Sequence, residues 1–221
     1  MAPTCTPWPF LPAKKRVLWR MTVMRVAMLA FAMSTGLAAP ANAVPETYTF
    51  DKDHTEIRFS WDHVGLSRQS GRFLDIAGEV VFDQERPEAS RIDVRIPLRS
   101  LSTGVPALDD VLLKTPDYLN VSQYPEITFK SSEIVMTTAK TANVAGALTF
   151  NGVTRPAMLS VVWNFSGEHP LSKINPTYAG VYASGFSART QILRSEFGIT
   201  RSIPLISDEL RITIETELHR R

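Results

Sequence analysis

Apolar and polar residues alternate along much of the chain, and the pattern is clearest between residues 91 and 99. Charged residues occupy most odd positions of this segment, and the even positions are all apolar: Ile92, Val94, Ile96 and Leu98. Successive side chains of a β-strand point to opposite faces, so a period of two predicts a strand that is buried on one face. This segment is therefore expected in an antiparallel sheet that covers an interior.

The same alternation recurs in eight segments. They cover residues 56–63, 72–82, 91–101, 127–129, 144–150, 157–165, 178–193 and 208–218. The glycine-flanked stretch 65–71 predicts a hairpin loop between the first two segments, and Asn151-Gly152 is a strong signal for a short hairpin between the fifth and sixth. Residues 166–177 contain a glycine and two prolines and predict a long loop.

One segment between the third and fourth strands has a helical period. Leu108, Val111 and Leu112 follow helical spacing. Pro106 suits the first turn of a helix, and Pro116 ends or kinks it. We therefore predict a short helical insertion. Residues 106–119 and the loop 166–177 are candidate lids, because ligand exchange requires a part of the protein that is less stable than the barrel wall.

Two architectures accommodate eight amphipathic strands: a sandwich of two sheets, or an up-and-down barrel without free edges. Strands of about ten residues rise roughly 33 Å, and an eight-stranded barrel has an interior that holds side chains or one small ligand. We therefore predict an all-β, eight-stranded antiparallel up-and-down barrel. Four inward positions are small, which leaves room inside or simply fits the taper of a barrel: Gly78, Gly146, Ala157 and Ser184.

The first 43 residues have the organisation of a secretory signal peptide. Five basic residues and no acidic residue precede a short apolar run at 26–32, and Ala41-Asn42-Ala43 follows as a cleavage site. The run is shorter than the roughly 20 apolar residues of a spanning helix, which disfavours a retained membrane anchor. We predict a signal at residues 1–43, with a start at Met21 or Met24 as an alternative, and a barrel domain at 44–221.

Removal of this signal changes the charge balance. The chain has 24 basic and 22 acidic residues, and loss of five basic residues leaves 19 against 22. A slightly acidic mature domain excludes nucleic acid as the expected partner. Cys5, the one cysteine, lies in the signal, so the mature domain has no disulfide or thiol chemistry. The predicted location is the periplasm or, after secretion, the medium.

Blocks of sequence distributed from Tyr48 to Leu218 resemble the YceI-like family. They include Phe50-Asp51-Lys52-Asp53-His54-Thr55, Gln123-Tyr124-Pro125-Glu126-Ile127 and Val144-Ala145-Gly146-Ala147-Leu148-Thr149-Phe150-Asn151-Gly152-Val153-Thr154-Arg155-Pro156. The resemblance implies a lipocalin-like barrel, periplasmic or secreted, that binds long polyisoprenoid molecules such as quinones. Relatives often carry a His, a Leu and a basic residue in the helix, whereas Leu112-Leu113-Lys114 makes this position apolar here.

The predicted binding site is the inner face of the barrel. Its candidate residues are mostly aromatic and share inward positions or the helix: Phe59, Trp61, His63, Phe82, Leu112, Phe129, Phe150, Trp163 and Phe186. An ordinary packed core would use the same residue types. No cofactor is required by this interpretation, apart from a bound isoprenoid lipid or quinone.

Catalytic and metal chemistry have little support. The histidines form no HxH or HExxH pattern, no serine lies in a GxSxG sequence, and we predict neither catalytic residues nor a metal site. His63 is more readily explained by a structural hydrogen bond or a ligand contact. His169 and His219 are expected at the solvated surface. Four arginines suit either an anionic head group or, more commonly, solvent: Arg155, Arg189, Arg194 and Arg201.

The first hypothesis is therefore a carrier or sequestering protein that encloses a long isoprenoid-type lipid without transforming it. The second is an enzyme that uses His63 with an acidic partner on a buried lipid or quinone. The third is a packed, cargo-free barrel that serves as a stress or interaction module. Transient contact with a membrane or a membrane protein is compatible with the first. The oligomeric state stays open, since a strand edge is able to pair two barrels.

Overall fold

The computed structural model describes residues 45–221, so the predicted export signal lies outside the described residues. Its strands are β1 (Glu46–Phe50), β2 (Glu56–His63), β3 (Ser67–Phe73), β4 (Ala77–Phe82), β5 (Arg91–Pro97), β6 (Leu101–Ser102), β7 (Glu126–Met136), β8 (Thr141–Phe150), β9 (Val153–Glu168), β10 (Tyr182–Leu193) and β11 (Glu209–Arg220). The α-helix α1 (Pro106–Lys114) lies between β6 and β7. Among the described residues, no helix is long and apolar enough to cross a membrane.

Eight strands close into an antiparallel barrel. They follow the order β1-β4-β5-β7-β8-β9-β10-β11, and pairing of β1 with β11 joins the ends of the sheet. Beyond a bend at residues 51–55, β2 continues β1 along β11: Phe50 lies opposite Leu218, and Ser60 lies opposite Arg211. β3 extends β4 in the same way and pairs with β6. The predicted barrel is confirmed, and its first three strands are each divided in two.

The first hairpin is tighter than the glycines at its ends predict. His63 already pairs with Ser67, so the turn comprises only residues 64–66. Gly71 lies inside β3 opposite Phe59, whose ring occupies the space that a side chain at position 71 would need. The predicted loop 65–71 is therefore wrong. Gly71 makes room for an aromatic ring on the neighbouring strand and is not a turn residue.

The second predicted strand is interrupted at residues 74–76. β3 ends at Phe73, and the Leu74 amide donates a hydrogen bond to the Ser100 carbonyl at 2.9 Å. This break shifts the alternation, so Phe73 faces the interior and Leu74 is 59% exposed. Unbroken alternation through residues 72–82 predicts that Leu74 shares the inward face with Val80 and Phe82, and this prediction is wrong.

A bulge near the end of β9 reverses the alternation a second time. Phe186 lies opposite Trp163 and Gly185 lies opposite Phe165, so Asn164 is an extra residue in β9. Trp163 therefore lines the interior, whereas Phe165 is 39% exposed. The predicted inward face of residues 157–165 is correct up to Trp163 and wrong at Phe165. Strand pairing continues to Glu168, so the long loop spans residues 169–181 rather than 166–177.

Packed apolar side chains are concentrated at the two ends of the barrel. We call one end the loop end, because it carries the turn 64–66, α1 and the segment 194–208. Its buried core includes Leu98, Leu119, Phe197 and Ile199. The opposite end, here called the far end, carries the loop 169–181 and a second buried cluster that consists of Tyr48, Val80, Phe82 and Leu218. The candidate site lies between these two clusters.

Candidate ligand-binding cavity

An apolar cavity of about 790 Å³ occupies the interior of the barrel. Strand alternation builds its wall: Leu210, Ile212 and Ile214 of β11 line it, and the residues between them are directed away from it. Polar side chains of the lining lie mainly toward the two ends, among them His63, Gln69, Ser90, Lys140, Arg194 and Ser202. The interior is therefore a cavity with apolar walls rather than a completely packed core.

All nine side chains that the sequence suggested line this cavity: Phe59, Trp61, His63, Phe82, Leu112, Phe129, Phe150, Trp163 and Phe186. Toward the loop end, Phe59 stacks on Trp61 with ring centroids 5.7 Å apart. Toward the far end, Phe82 meets Trp163 edge-on at 5.1 Å and Phe186 at 5.2 Å. The structure brings these residues together around one space. Their contact with a ligand stays a prediction.

Several lining residues escaped the sequence analysis. Phe50 belongs to β1, whose five residues are too few to show a clear period. Phe73 lies just before the break in alternation, and Tyr118 lies in the irregular segment after α1. The family block that begins at Phe50 was the one available signal for β1. Nothing in the local pattern distinguishes Tyr118 from a surface tyrosine.

The small inward residues have varied roles. Of the four, Ala157 alone lines the cavity. A side chain at Gly78 would collide with the Asp93 carbonyl, and one at Gly146 would lie 2.5 Å from the ring of Phe129. Ser184 is fully buried and hydrogen-bonds Ser166 at 2.6 Å. Small residues therefore serve mainly the close packing of the wall, and the predicted room inside comes from the diameter of the barrel.

The cavity meets solvent mainly at the loop end. Side chains that are both exposed and part of the lining mark such openings, and three of them lie at this end: His63, Gln69 and Ser202. Leu112 of α1, at the same end, also lines the cavity. At the far end, Lys140 is exposed and lines the cavity, and its ammonium lies 3.5 Å from the ring centroid of Trp163. That cation covers the aromatic ring beneath it.

Comparison with known proteins identifies this architecture. Residues 48–218 match the model of the YceI-like domain. The chain belongs to the YceI-like family. A UPF0312 protein of Pseudomonas syringae pv. tomato is 33% identical over 196 residues, which cover 87% of this chain and 97% of that protein.

Solved structures agree with the fold of this YceI-like chain. BcnA of Burkholderia cenocepacia superposes with a TM-score of 0.66 at 20% identity, over 76% of this chain and 98% of BcnA. A polyisoprenoid-binding domain from Saccharophagus degradans superposes with a TM-score of 0.51 at 13% identity, over 80% of this chain and 100% of that domain. At these identities, the two structures are evidence for the shared barrel alone.

His63 of this YceI-like protein lies at the opening without an acidic partner. Its main chain forms a bridge with Ile206 and its side chain is exposed. Within residues 45–221, no carboxylate lies at ion-pair distance from His63. The neighbouring Asp62 pairs instead with Arg68 at 3.1 Å and with Arg211 at 3.3 Å. The hydrogen bond from Arg68 holds the pKa of Asp62 below its usual range.

Arg194 is buried, with 4% of its surface exposed, although the sequence favours a solvated arginine at this position. Its guanidinium donates four hydrogen bonds to main-chain carbonyls, at 2.9 Å to Ser207 and Ile206, 3.1 Å to Ile199 and 2.8 Å to Arg201. Burial lowers the pKa of Arg194, and the charge of Asp208 opposes this effect. The planar fork of donors ties the whole segment 199–207 to the end of the barrel.

The other three arginines, Arg155, Arg189 and Arg201, are exposed, as the usual solvation of arginine predicts. Arg201 is held by Asp117 at 2.7 Å. None of these three lines the cavity.

Two histidines expected in solvent are instead packed at the far end. His169 is 6% exposed and stacks on Tyr178 with ring centroids 3.8 Å apart and nearly parallel planes. His219 meets the His169 ring edge-on at 5.7 Å, and its Nε2 lies 3.5 Å from Asp51. The loop 169–181 is therefore anchored by aromatic stacking, a tertiary contact that no local sequence pattern reveals.

A polar cluster lies at the bend between β1 and β2, outside the cavity lining. His54 Nδ1 lies 2.8 Å from Asp51 Oδ2. Burial raises the pKa of Asp51, but hydrogen bonds from His54 and the Asp53 amide outweigh it, so the pKa lies below its usual value. The same pairing raises the pKa of His54. Potential metal-ligand atoms of Asp51, His54 and Glu217 lie within 4.8 Å of one another. The hydrogen bond between His54 and Asp51 by itself explains why these two side chains lie in contact.

Proposed function

We propose that this YceI-like protein encloses one long apolar molecule of the isoprenoid class, such as a polyisoprenoid or a quinone with an isoprenoid tail. It carries or sequesters this molecule without transforming it. The observation that supports the proposal most directly is the apolar cavity of about 790 Å³ inside a closed barrel. Sites for small molecules typically have volumes of roughly 300–1,000 Å³, so the cavity has the size of a binding site rather than of a packing defect.

An apolar chain is the chemistry that this wall fits best. Burial of each methylene group contributes roughly 0.8 kcal/mol, so a long tail binds tightly without any charged contact. The methyl-bearing side chains of β11 and the aromatic rings of Trp61, Phe82 and Trp163 offer such contacts along the cavity. The isoprenoid class is proposed because a solved structure with the same barrel is a polyisoprenoid-binding domain. A head group would lie near the polar residues at one end.

The proposed location is the periplasm or the medium, and it rests on the signal-like sequence of residues 1–43. In such a compartment, a lipid of this length needs a carrier protein in order to cross water. Transient contact with a membrane or with a membrane protein is part of the proposal, because the cargo must be loaded and released.

The two alternative functions fit the geometry less well. An enzyme that uses His63 requires an acidic partner, and the nearest acidic residue in sequence, Asp62, is engaged by two arginines. A cargo-free barrel should be filled by its own side chains, whereas this one contains a large cavity. A His63→Ala variant that binds an extracted ligand normally, while no product forms with either protein, would favour the carrier over the enzyme.

The decisive test compares two neighbouring residues of β9. Ala157 lines the cavity, and Met158 is 55% exposed on the outside. Ala157→Phe adds a ring to the cavity and is expected to reduce the lipid that copurifies with the protein, measured by mass spectrometry of organic extracts. Met158→Phe adds a similar ring outside and should retain the full amount.

Two outcomes of this test would contradict the proposal. In the first, extracts of the unaltered protein from its native envelope contain no apolar molecule at a stoichiometric level. In the second, the Ala157→Phe protein retains as much lipid as the Met158→Phe protein. Thermal unfolding of both variants shows whether either substitution perturbs the barrel itself.

A further inference from the structure

Exposed apolar side chains surround the opening of the cavity at the loop end. Leu66 in the turn 64–66 is 85% exposed, and Leu205 in the segment 194–208 is 66% exposed. Val111 of α1 is 47% exposed beside Leu112, which lines the cavity. We call this set the rim, and it consists of Val64, Leu66, Val105, Val111 and Leu205. Isolated exposed apolar residues are common, but several around one opening indicate an interaction site.

The rim is continuous with the lining of the cavity. Val64 follows His63, and Leu205 precedes Ile206, and both of these neighbours line the cavity. Each segment at the opening therefore presents one side chain to the interior and the next to solvent. A molecule that leaves the cavity would pass directly from one apolar surface to the other.

Hydrogen bonds fix the rim in place. The Val64 amide donates to the Leu205 carbonyl at 2.7 Å, so the two most prominent parts of the rim are directly joined. The Ser207 amide donates to the Asp62 carbonyl at 3.0 Å, and Arg194 binds four carbonyls of the segment 199–207. Apolar side chains on such a framework cannot easily retract into the core, so their exposure is built into the fold.

Several charges near the rim are paired. Arg68 lies 3.1 Å from Asp62, Arg201 lies 2.7 Å from Asp117, and Lys114 lies 2.9 Å from Asp110. The two charges of each pair largely cancel each other's field toward an anionic surface. A partner of the rim is therefore recognised by its apolar character rather than by its charge.

We propose that the rim inserts into the surface of a lipid bilayer and places the opening of the cavity against the membrane. This inference rests on the proposed function, because it supplies the route by which an apolar cargo enters and leaves. A second copy of the chain would cover the same apolar surface, but it would also close the opening. A bilayer covers the rim and continues the apolar wall, so the cargo never crosses water.

Flotation with phosphatidylcholine vesicles tests the proposal. The Leu66→Ser/Leu205→Ser double variant is expected to lower the vesicle-bound fraction about tenfold or more, because two side chains lose their burial in the bilayer. The matched control is Ile174→Ser, since Ile174 is 78% exposed in the far-end loop 169–181. The control should change binding by less than about twofold, and high salt should have as little effect, because paired charges contribute little attraction.

Three results would overturn the proposal: no flotation of the unaltered protein, equal flotation of the double variant, or an equal loss in the Ile174→Ser control. Analytical ultracentrifugation addresses the remaining occupant. A dimer that the double variant abolishes, together with absent flotation, would assign the rim to a second copy.

A separate measurement keeps this inference apart from the proposed function. A quinone with a short isoprenoid tail, dissolved in water, should quench the fluorescence of Trp61 and Trp163 equally in the unaltered protein and the double variant. Normal quenching without flotation would overturn the membrane-inserted rim alone. Flotation without quenching would overturn the quinone-class cargo and leave the rim in place.

Discussion

The two ends of the barrel use the same residue types in different ways. At the far end, Tyr48 and Leu218 are at most 1% exposed, and Phe82 packs edge-on against two other rings. At the loop end, Leu66 and Leu205 extend into solvent around an opening. Each end contains a buried apolar core, and at the loop end further apolar side chains border the opening as a rim.

The difference lies in where the polar groups find their partners. Far-end groups bind one another: Gln84 donates to the Tyr182 hydroxyl at 3.2 Å, and Ser166 pairs with Ser184 at 2.6 Å. At the loop end, Arg194 uses its donors on main-chain carbonyls instead. Side-chain pairs allow a dense cluster, whereas an arginine bound to a loop fixes the main chain and leaves the apolar side chains of that loop outside.

The largest expected effect compares the removal of one apolar side chain from each end. Phe82→Ala should lower the free energy of unfolding by about 3–5 kcal/mol, because the cavity that it creates adds to the lost burial. Leu66→Ala should change it by less than about 0.5 kcal/mol, since the side chain is 85% exposed. Urea denaturation followed by circular dichroism measures both. Similar losses for the two variants would show that the rim is part of the core.

A smaller loss of stability is expected when the clamp at the loop end is removed. The clamp is the Arg194 guanidinium, which binds four carbonyls of the segment 199–207. Arg194→Met leaves several buried carbonyls without donors and should lower the free energy of unfolding by about 2–3 kcal/mol. Hydrogen exchange should accelerate across residues 199–207 and stay unchanged in the far-end loop. Arg194→Lys retains the charge but not the planar fork, so an intermediate loss is expected. Uniform acceleration throughout the barrel would contradict a local clamp.

Alternation predicted most of the fold because a closed barrel repeats one simple rule along every strand. The inward residues of β2, β10 and β11 follow a period of two, as do those of β9 up to Trp163, and five of the nine candidate residues line the cavity for this reason. The rule failed where one residue shifts the register. Asn164 is such an extra residue in β9, and it moved Phe165 to the outside. Many residues tolerate a bulge, so the sequence carries no clear signal for it.

Buried polar residues were the other source of error. His169 and Arg194 lie in segments with the composition of loops, and exposure was the reasonable expectation for each. Their burial depends on Tyr178, which stacks on the imidazole, and on carbonyls of the segment 199–207, which accept from the guanidinium. These partners meet only after the barrel has closed. The position of the opening, with His63 at its border, follows from the same long-range contacts.

The smallest expected effect concerns the Asp51–His54 pair, which lies at the bend where β1 of the far end continues into β2 of the loop end. Because the pKa of Asp51 is lowered in the folded protein, the ionised carboxylate stabilises the fold at pH values above about 3.9, the pKa of Asp in an unfolded chain. This contribution is lost as the pH falls through the folded pKa. Because the pKa of His54 is raised in the folded protein, the protonated imidazole stabilises the fold fully at pH values below about 6.5, the pKa of His in an unfolded chain. This contribution is lost as the pH rises through the folded pKa.

The pair should therefore stabilise the barrel most between about pH 4 and pH 6.5. The gain should be below about 1 kcal/mol, since the His54 side chain is 48% exposed and solvent screens the interaction. Asp51→Asn retains a carbonyl oxygen for the Asp53 amide but removes the charge, so its unfolding free energy should lack this maximum. Urea denaturation across that pH range measures the difference. Parallel curves for the two proteins would mean that the bend joins the two ends through main-chain pairing alone.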